Sequence, residues 1–218
     1  MFTKFALLTF VLLAGLTQQC LSQQSMQMLL NQIKISPLRL IDEFNPGLEL
    51  SYERIYANKF STQIAIGYMK PLVGISANTD YNGWRYGIEE KYFINLSTRE
   101  RSYWSFDAVY LKVNYNNEGI FQQDTALNSP EYKDTYHINK RTFAFNINRG
   151  MQIPLNHFVV DLSLGIGIKY KMTERTGLED IHSIESTSRH PNFYDMANRV
   201  GNYFTISIPL NVRIGYQF

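Results

Sequence analysis

Cysteine is almost missing from the chain: Cys20 is the only one in 218 residues. An internal disulfide framework and a cysteine-held metal centre are therefore excluded. Net charge is scarce as well, with 21 Lys and Arg against 19 Asp and Glu for a formal +2. The basic footprint of a nucleic-acid binder is absent, and no nucleic-acid partner is expected. After residue 22 no stretch approaches the roughly 18–20 consecutive apolar residues that a helical membrane span needs. Glycine-rich phosphate loops, Gly-x-Ser-x-Gly elbows and His-Glu-x-x-His helices do not occur either.

What is present begins with a leader. Lys4 supplies a positive start, Phe5 to Leu16 is apolar except for Thr9 and Gly15, and Cys20-Leu21-Ser22 places small residues at the −3 and −1 positions. Residues 1–22 read as a signal peptide cut after Ser22, which removes the only thiol and takes the balance from +2 to about +1. The rival reading, a lipid-modified Cys20, calls for a small residue where the chain has Gln19. Residues 23–30 then form a short periplasmic lead-in, and residues 31–218 one domain.

The last sixteen residues show the pattern that organises this domain. Phe204, Ile206, Ile208, Leu210, Val212, Ile214, Tyr216 and Phe218 alternate with Thr205, Ser207, Pro209, Asn211, Arg213, Gly215 and Gln217. A period of two held this long requires a strand, and one longer than the usual five or six residues. Working back, the same alternation runs from Phe158 to Tyr170, through Phe143, Phe145 and Ile147, through Trp104, Phe106, Ala108 and Tyr110, and from Trp84 to Ile94. It recurs at Ile64–Tyr68 and Leu48–Tyr52, and in a first segment, Asn31 to Ile41, whose phase Pro37 disturbs. Glu90 falls in the apolar register of the fourth strand, which predicts a bulge or a place near the lipid boundary. The connections after strands two, four and six are short, whereas those after three, five and seven are long and polar, above all 114–137 and 173–199. The expectation is an all-β fold: an eight-stranded antiparallel up-and-down transmembrane β-barrel with both termini in the periplasm.

A soluble lipocalin-like barrel also has one apolar face, turned inward around a ligand. The polar face decides between the two. Ser163, Gly165, Gly167, Thr205, Ser207 and Gly215 are too small to be needed on a solvated surface, but they fit a crowded lumen. Glu49, Glu53, Arg85, Glu89, Asp107, Asp161, Lys169 and Arg213 carry both signs and form the expected lumen network, where buried charges must pair. Phe158 to Tyr170 and Phe204 to Tyr216 are separations of twelve residues, roughly 28 Å along a tilted strand and close to the apolar band of such barrels. Those four, with Phe218, are the expected interface aromatics.

Gly47-Leu48-Glu49-Leu50-Ser51-Tyr52-Glu53, the run Leu162 to Tyr170 and the ending Arg213-Ile214-Gly215-Tyr216-Gln217-Phe218 resemble the small eight-stranded outer-membrane β-barrel proteins common in Bacteroidetes. The resemblance covers nearly all of residues 31–218. It implies location in the outer membrane, with lipid as the surrounding partner, and insertion by the barrel-assembly machinery through the aromatic terminal strand. It brings over no catalytic residues and no cofactor, because many members of that family have no assigned activity.

Hidden chemistry finds little support. His182 and His190 share a loop with Glu179, Asp180, Glu185 and Asp195, but at no recognised metal spacing. Lipid-A acyl-modifying barrels place a histidine near a serine. Here His137 has no serine within two residues, His182-Ser183 lies in a long loop, and His157 falls in a periplasmic turn. Eight strands leave room only for side chains, which argues against a pore. The expected function is a structural or interaction barrel, not an enzyme, whose loops 114–137 and 173–199 offer the contact surface. An acyl-modifying enzyme and a lipocalin-like binder of an apolar ligand are the alternatives.

Overall fold

Every segment that alternates in the sequence is a strand in the computed structural model, which describes residues 30–40, 42, 45–56, 59–71, 79–96, 100–122, 131–177, 184–185 and 200–218. The expected leader and residues 23–29 of the lead-in lie outside them. The strands are β1 (Asn31–Ile35), β2 (Gly47–Tyr56), β3 (Phe60–Met69), β4 (Thr79–Leu96), β5 (Arg101–Gln122), β6 (Glu131–Leu155) and β7 (Phe158–Thr176), then β8 (Ile184–Glu185), β9 (Gly201–Ser207) and β10 (Leu210–Gln217). Each pairs antiparallel with its neighbour. β9 and β10 share β7 as partner and make one wall strand, and β10 also pairs with β1. With β8 set aside on β5, eight strands close a ring.

The wall is inverted relative to a water-soluble protein. Ile64, Ile88, Ile147 and Ile166 point outward and are 53–65% exposed, while Glu53 and Lys91 point inward and are 0% exposed. The apolar faces therefore need lipid, not water, around them. This removes the lipocalin-like alternative, which requires the opposite orientation.

Several boundaries differ from the sequence expectation. At Pro37 the first strand ends instead of bulging, one of the two outcomes a proline there allows. β1 stops at Ile35, and Pro37–Leu40 forms a 3₁₀ turn, because proline has no N–H to continue the ladder. The eighth wall strand is broken at Ile208-Pro209, although Pro209 still accepts a bond from Gly165 N at 3.0 Å and the in-out phase survives the break. Glu90 sits in no bulge: the lower register shift of β4 lies between Phe93 and Asn95. Its carboxylate faces outward near the rim that holds the short turns, where the Tyr56 hydroxyl and Thr62 Oγ1, the latter at 2.6 Å, donate to it.

The largest difference concerns 114–137. β5 and β6 continue as a paired ribbon to Gln122 and Glu131, so strand occupies most of the expected loop and only 123–130 lies outside the described residues. β4 likewise starts at Thr79, before Trp84, and β7 reaches Thr176, into the loop expected from 173. In these extensions the faces exchange roles. Val113, Tyr115, Tyr136 and Ile138 point inward and are buried, whereas Lys112 and His137 are exposed. Beyond the lipid the outside is water, so the ordinary rule of apolar inside returns.

Both termini of the barrel lie at one end with the short turns. There the Asn156-His157 connection turns with Asn156 at φ 56°, a conformation asparagine tolerates. At the other end the ring is incomplete on one side. β1 reaches only Ile35, opposite Ile214, so the edge of β9 that faces away from β7 meets no described strand.

Candidate functional site

The inward faces stack in tiers. At the end that holds the short turns Ile55, Phe93 and Tyr103 form a buried apolar cluster, with the Phe93 and Tyr103 rings edge-on at 5.7 Å. Glycine is required at position 150, because a Cβ there would overlap the Tyr103 ring.

Above this lies a quartet of fully buried charges. Lys91 Nζ is 2.8 Å from Glu53 and 2.6 Å from Asp161, and Lys34 Nζ pairs with the same two carboxylates. Gln63 accepts from both lysines at 3.3 and 3.1 Å, and Ser61 and Gln152 donate to Glu53 at 2.7 and 3.0 Å. The Tyr103 hydroxyl donates to Asp161. Two cations face two anions, so the desolvation of each is offset by its neighbours.

The middle tier is a second network. Arg85 Nε lies 2.7 Å from Glu49, which also accepts from Ser36 at 2.9 Å. Arg39, carried inward by the 3₁₀ turn, pairs with Asp42 at 3.2 Å and reaches Asn211 at 3.3 Å. Arg213 bonds Glu89 at 2.9 Å, and Ser105 donates to Glu89 at 2.6 Å. Asp107 is held by the amides of Asn146 and Asn148, not by a cation.

Seven of the expected lumen residues, Glu49, Glu53, Arg85, Glu89, Asp107, Asp161 and Arg213, thus converge in these two tiers. Lys169 does not join them, because its rung neighbours are Ala144 and Thr205, which offer no charge. It points inward one tier higher together with Lys140 and Lys171, and these three line the part of the lumen called the lysine chamber. Among the described residues none of the three has a carboxylate or hydrogen-bond partner. Lys171 instead lies 5.7 Å from the centre of the Tyr203 ring. Lys140 is 7% exposed. Beside them Thr142 Oγ1 and Thr173 Oγ1 are buried without a hydrogen-bond partner. Over the chamber Met69, Tyr81, Leu111, Val113, Tyr115, Tyr136 and Ile138 form an apolar cap.

The expected lumen network omitted Lys34, Lys91, Arg39, Lys140 and Lys171. Lys91 and Lys171 share the inward parity of Glu89 and Lys169, which was the available signal. Lys34 stands before the phase change at Pro37, and Arg39 is inside only because the chain turns there.

The expected interface aromatics fall into two separate groups. Phe158, Tyr216 and Phe218 contact one another near the termini, with ring centroids 5.9 and 6.4 Å apart. Tyr170 and Phe204 meet at 4.8 Å toward the other end. That upper pair continues an outer-face ring series through Tyr68, Trp84, Tyr86, Tyr110 and Phe143.

His137 is exposed on the upper ribbon and bonds Asn116 at 2.9 Å, and His157 stacks on Tyr216 at 5.6 Å. The loop residues Glu179, Asp180, His182, His190 and Asp195 lie outside the described residues, as does the Glu185 side chain. Among the described residues no three His, Cys, Asp or Glu groups could hold a metal.

No protein-family model matches the chain, and neither does any curated protein. Two solved structures are similar. The N-terminal β-barrel domain of OprF from Pseudomonas aeruginosa is 13% identical, with a TM-score of 0.39 over 86% of this chain and 96% of that one. A major outer membrane protein from Thermus thermophilus is 8% identical, with a TM-score of 0.42 over 86% of this chain and 97% of that one. At these scores neither likeness carries weight beside the inverted wall itself.

Proposed function

We propose that the chain is an outer-membrane β-barrel that works as an interaction scaffold, neither a pore nor an enzyme, and that the small Bacteroidetes-type barrels are its relatives. The observation that carries this reading is the filled lumen: the quartet of Lys34, Lys91, Glu53 and Asp161 is fully buried, and side chains occupy the axis. A channel needs water where these charges meet each other.

Lipid surrounds the apolar wall, the two aromatic groups mark the headgroup levels, and the barrel-assembly machinery receives the strand ending at Phe218. The β5–β6 ribbon rises about twelve residues beyond Tyr110, roughly 28 Å at the usual tilt. That ribbon, with 177–199, is the surface an extracellular partner meets. The test is expression with the natural leader in a Gram-negative host. A processed chain in the outer-membrane fraction, migrating differently before and after boiling, is expected, while a soluble periplasmic product with no shift would overturn the reading.

A further inference from the structure

The quartet and the middle tier explain their own charges, but the lysine chamber does not. Lys140 and Lys171 stand on adjacent strands as diagonal neighbours, since Lys140 pairs with Thr173 and Thr142 with Lys171. Such positions are about 7–8 Å apart between Cα atoms, and Lys169 follows Lys171 on the same face. Three like charges this close repel one another in a partly desolvated space. Among the described residues Asp42 is the acidic group whose field reaches Lys140 and Lys169, and it is already paired with Arg39. From the other elements around the chamber, Arg85 and Arg39 add further positive charge. The two unpartnered hydroxyls of Thr142 and Thr173 lie on the same rungs as the lysines. Three ammonium donors and two buried hydroxyls without a partner among the described residues share these rungs, a donor set that suits a tetrahedral oxyanion, with lysine acting as point charge.

Height and access identify where that anion comes from. Lys169 and Lys171 flank Tyr170, whose ring meets Phe204 in the upper aromatic group, and such belts sit at the headgroup level. Lys169 and Lys171 pair across to Thr205 and Tyr203 of β9, whose far edge meets no described strand. On that edge Phe204, Ile206 and Ile208 are 69–72% exposed, the most open apolar side chains on the described wall. A headgroup beside β9 is therefore one strand away from the lysines, and its chains have an apolar surface to lie on.

We infer that the chamber of Lys140, Lys169 and Lys171 binds the phosphate of an outer-leaflet lipid, entering beside β9. This rests on the membrane-barrel reading. The experiment uses the full mature chain in maltoside micelles, first shown to be closed by its heat-dependent gel shift, so that failure of the barrel reading is seen before any lipid is added. Native mass spectrometry then measures retention of phosphatidic acid, of diacylglycerol with the same tails, and competition by inorganic phosphate. The wild type is expected to retain phosphatidic acid and release diacylglycerol. K140Q and K171Q should each weaken retention roughly tenfold, the loss of one charge-assisted contact. K112Q, on the outer face, should leave it unchanged. Equal retention by the wild type, K140Q and K171Q would overturn the proposal. So would retention of diacylglycerol, or displacement of the lipid by inorganic phosphate at equal concentration, since the latter describes a water-fed anion site.

Discussion

Replacing Lys91 by methionine tests the lumen most directly, because methionine keeps most of the unbranched side chain and removes the ammonium group. Lys91 makes ion pairs of 2.8 and 2.6 Å, donates to Gln63 at 3.1 Å, and lies 4.7 Å from the centre of the Tyr103 ring. All of this occurs at zero exposure. Glu53 and Asp161 would then share Lys34 alone, leaving one buried carboxylate without a counter-charge. Removing one partner of such a group costs about 3–5 kcal/mol. With a urea dependence of about 1–3 kcal/mol per molar, the unfolding midpoint should fall by at least about 1 M. The assay is urea unfolding in lipid vesicles, followed by tryptophan fluorescence and by the heat-dependent gel shift. Adding Glu53→Gln to Lys91→Met leaves Lys34 opposite Asp161 and restores neutrality, so the double variant should regain more than half of the loss. A cost below about 1 kcal/mol for the single variant would show water screening the quartet as it does a surface pair, and would refute the closed lumen. Strictly additive losses would refute the coupling of the four charges.

Gly150→Ala should destabilise the barrel by about 1–3 kcal/mol through overlap with the Tyr103 ring, and Tyr103→Leu in the same chain should relieve part of that cost in the same unfolding assay. Reconstituted into planar bilayers, the wild type should give no steady channel, and a stable open conductance would contradict the occupied axis. Deleting Phe218 should lower the fraction of chain found in the outer membrane while leaving leader cleavage intact, as read by fractionation and mass. Brominated lipids should quench Trp84 and Trp104 best from shallow positions, because Trp84 stands in the upper ring series and Trp104 pairs with Tyr92 toward the end that holds the short turns.

The period of two made most of the wall legible: it placed Glu49, Glu53 and Asp161 inside and Ile64, Ile88 and Ile166 outside. It did not reveal who pairs with whom. Asp161 meets Lys34 and Lys91 across 127 and 70 residues of chain, a relation set by strand register and ring closure, which no local pattern carries. The β5–β6 ribbon was hidden for a different reason. Alternation continues through Val113, Tyr115, Tyr136 and Ile138, but its sense reverses above the lipid, so a search for one apolar outer face ends too early. The lysine cluster was half visible: Lys169 was recognised as inward, but Lys140 lay between the loop expected over 114–137 and the strand read from Phe143.

The quartet also dictates an order of events. Lys34 belongs to the first strand and Asp161 to the seventh, and they become neighbours only when β10 has paired with both β1 and β7. Until the two ends of the sequence have joined, those carboxylates and ammonium groups have no complete set of partners, and a sheet halfway into the bilayer would hold them at its greatest cost. Closing the seam between the first and last strands thus completes the quartet, and assembly has no comfortable place to pause before it.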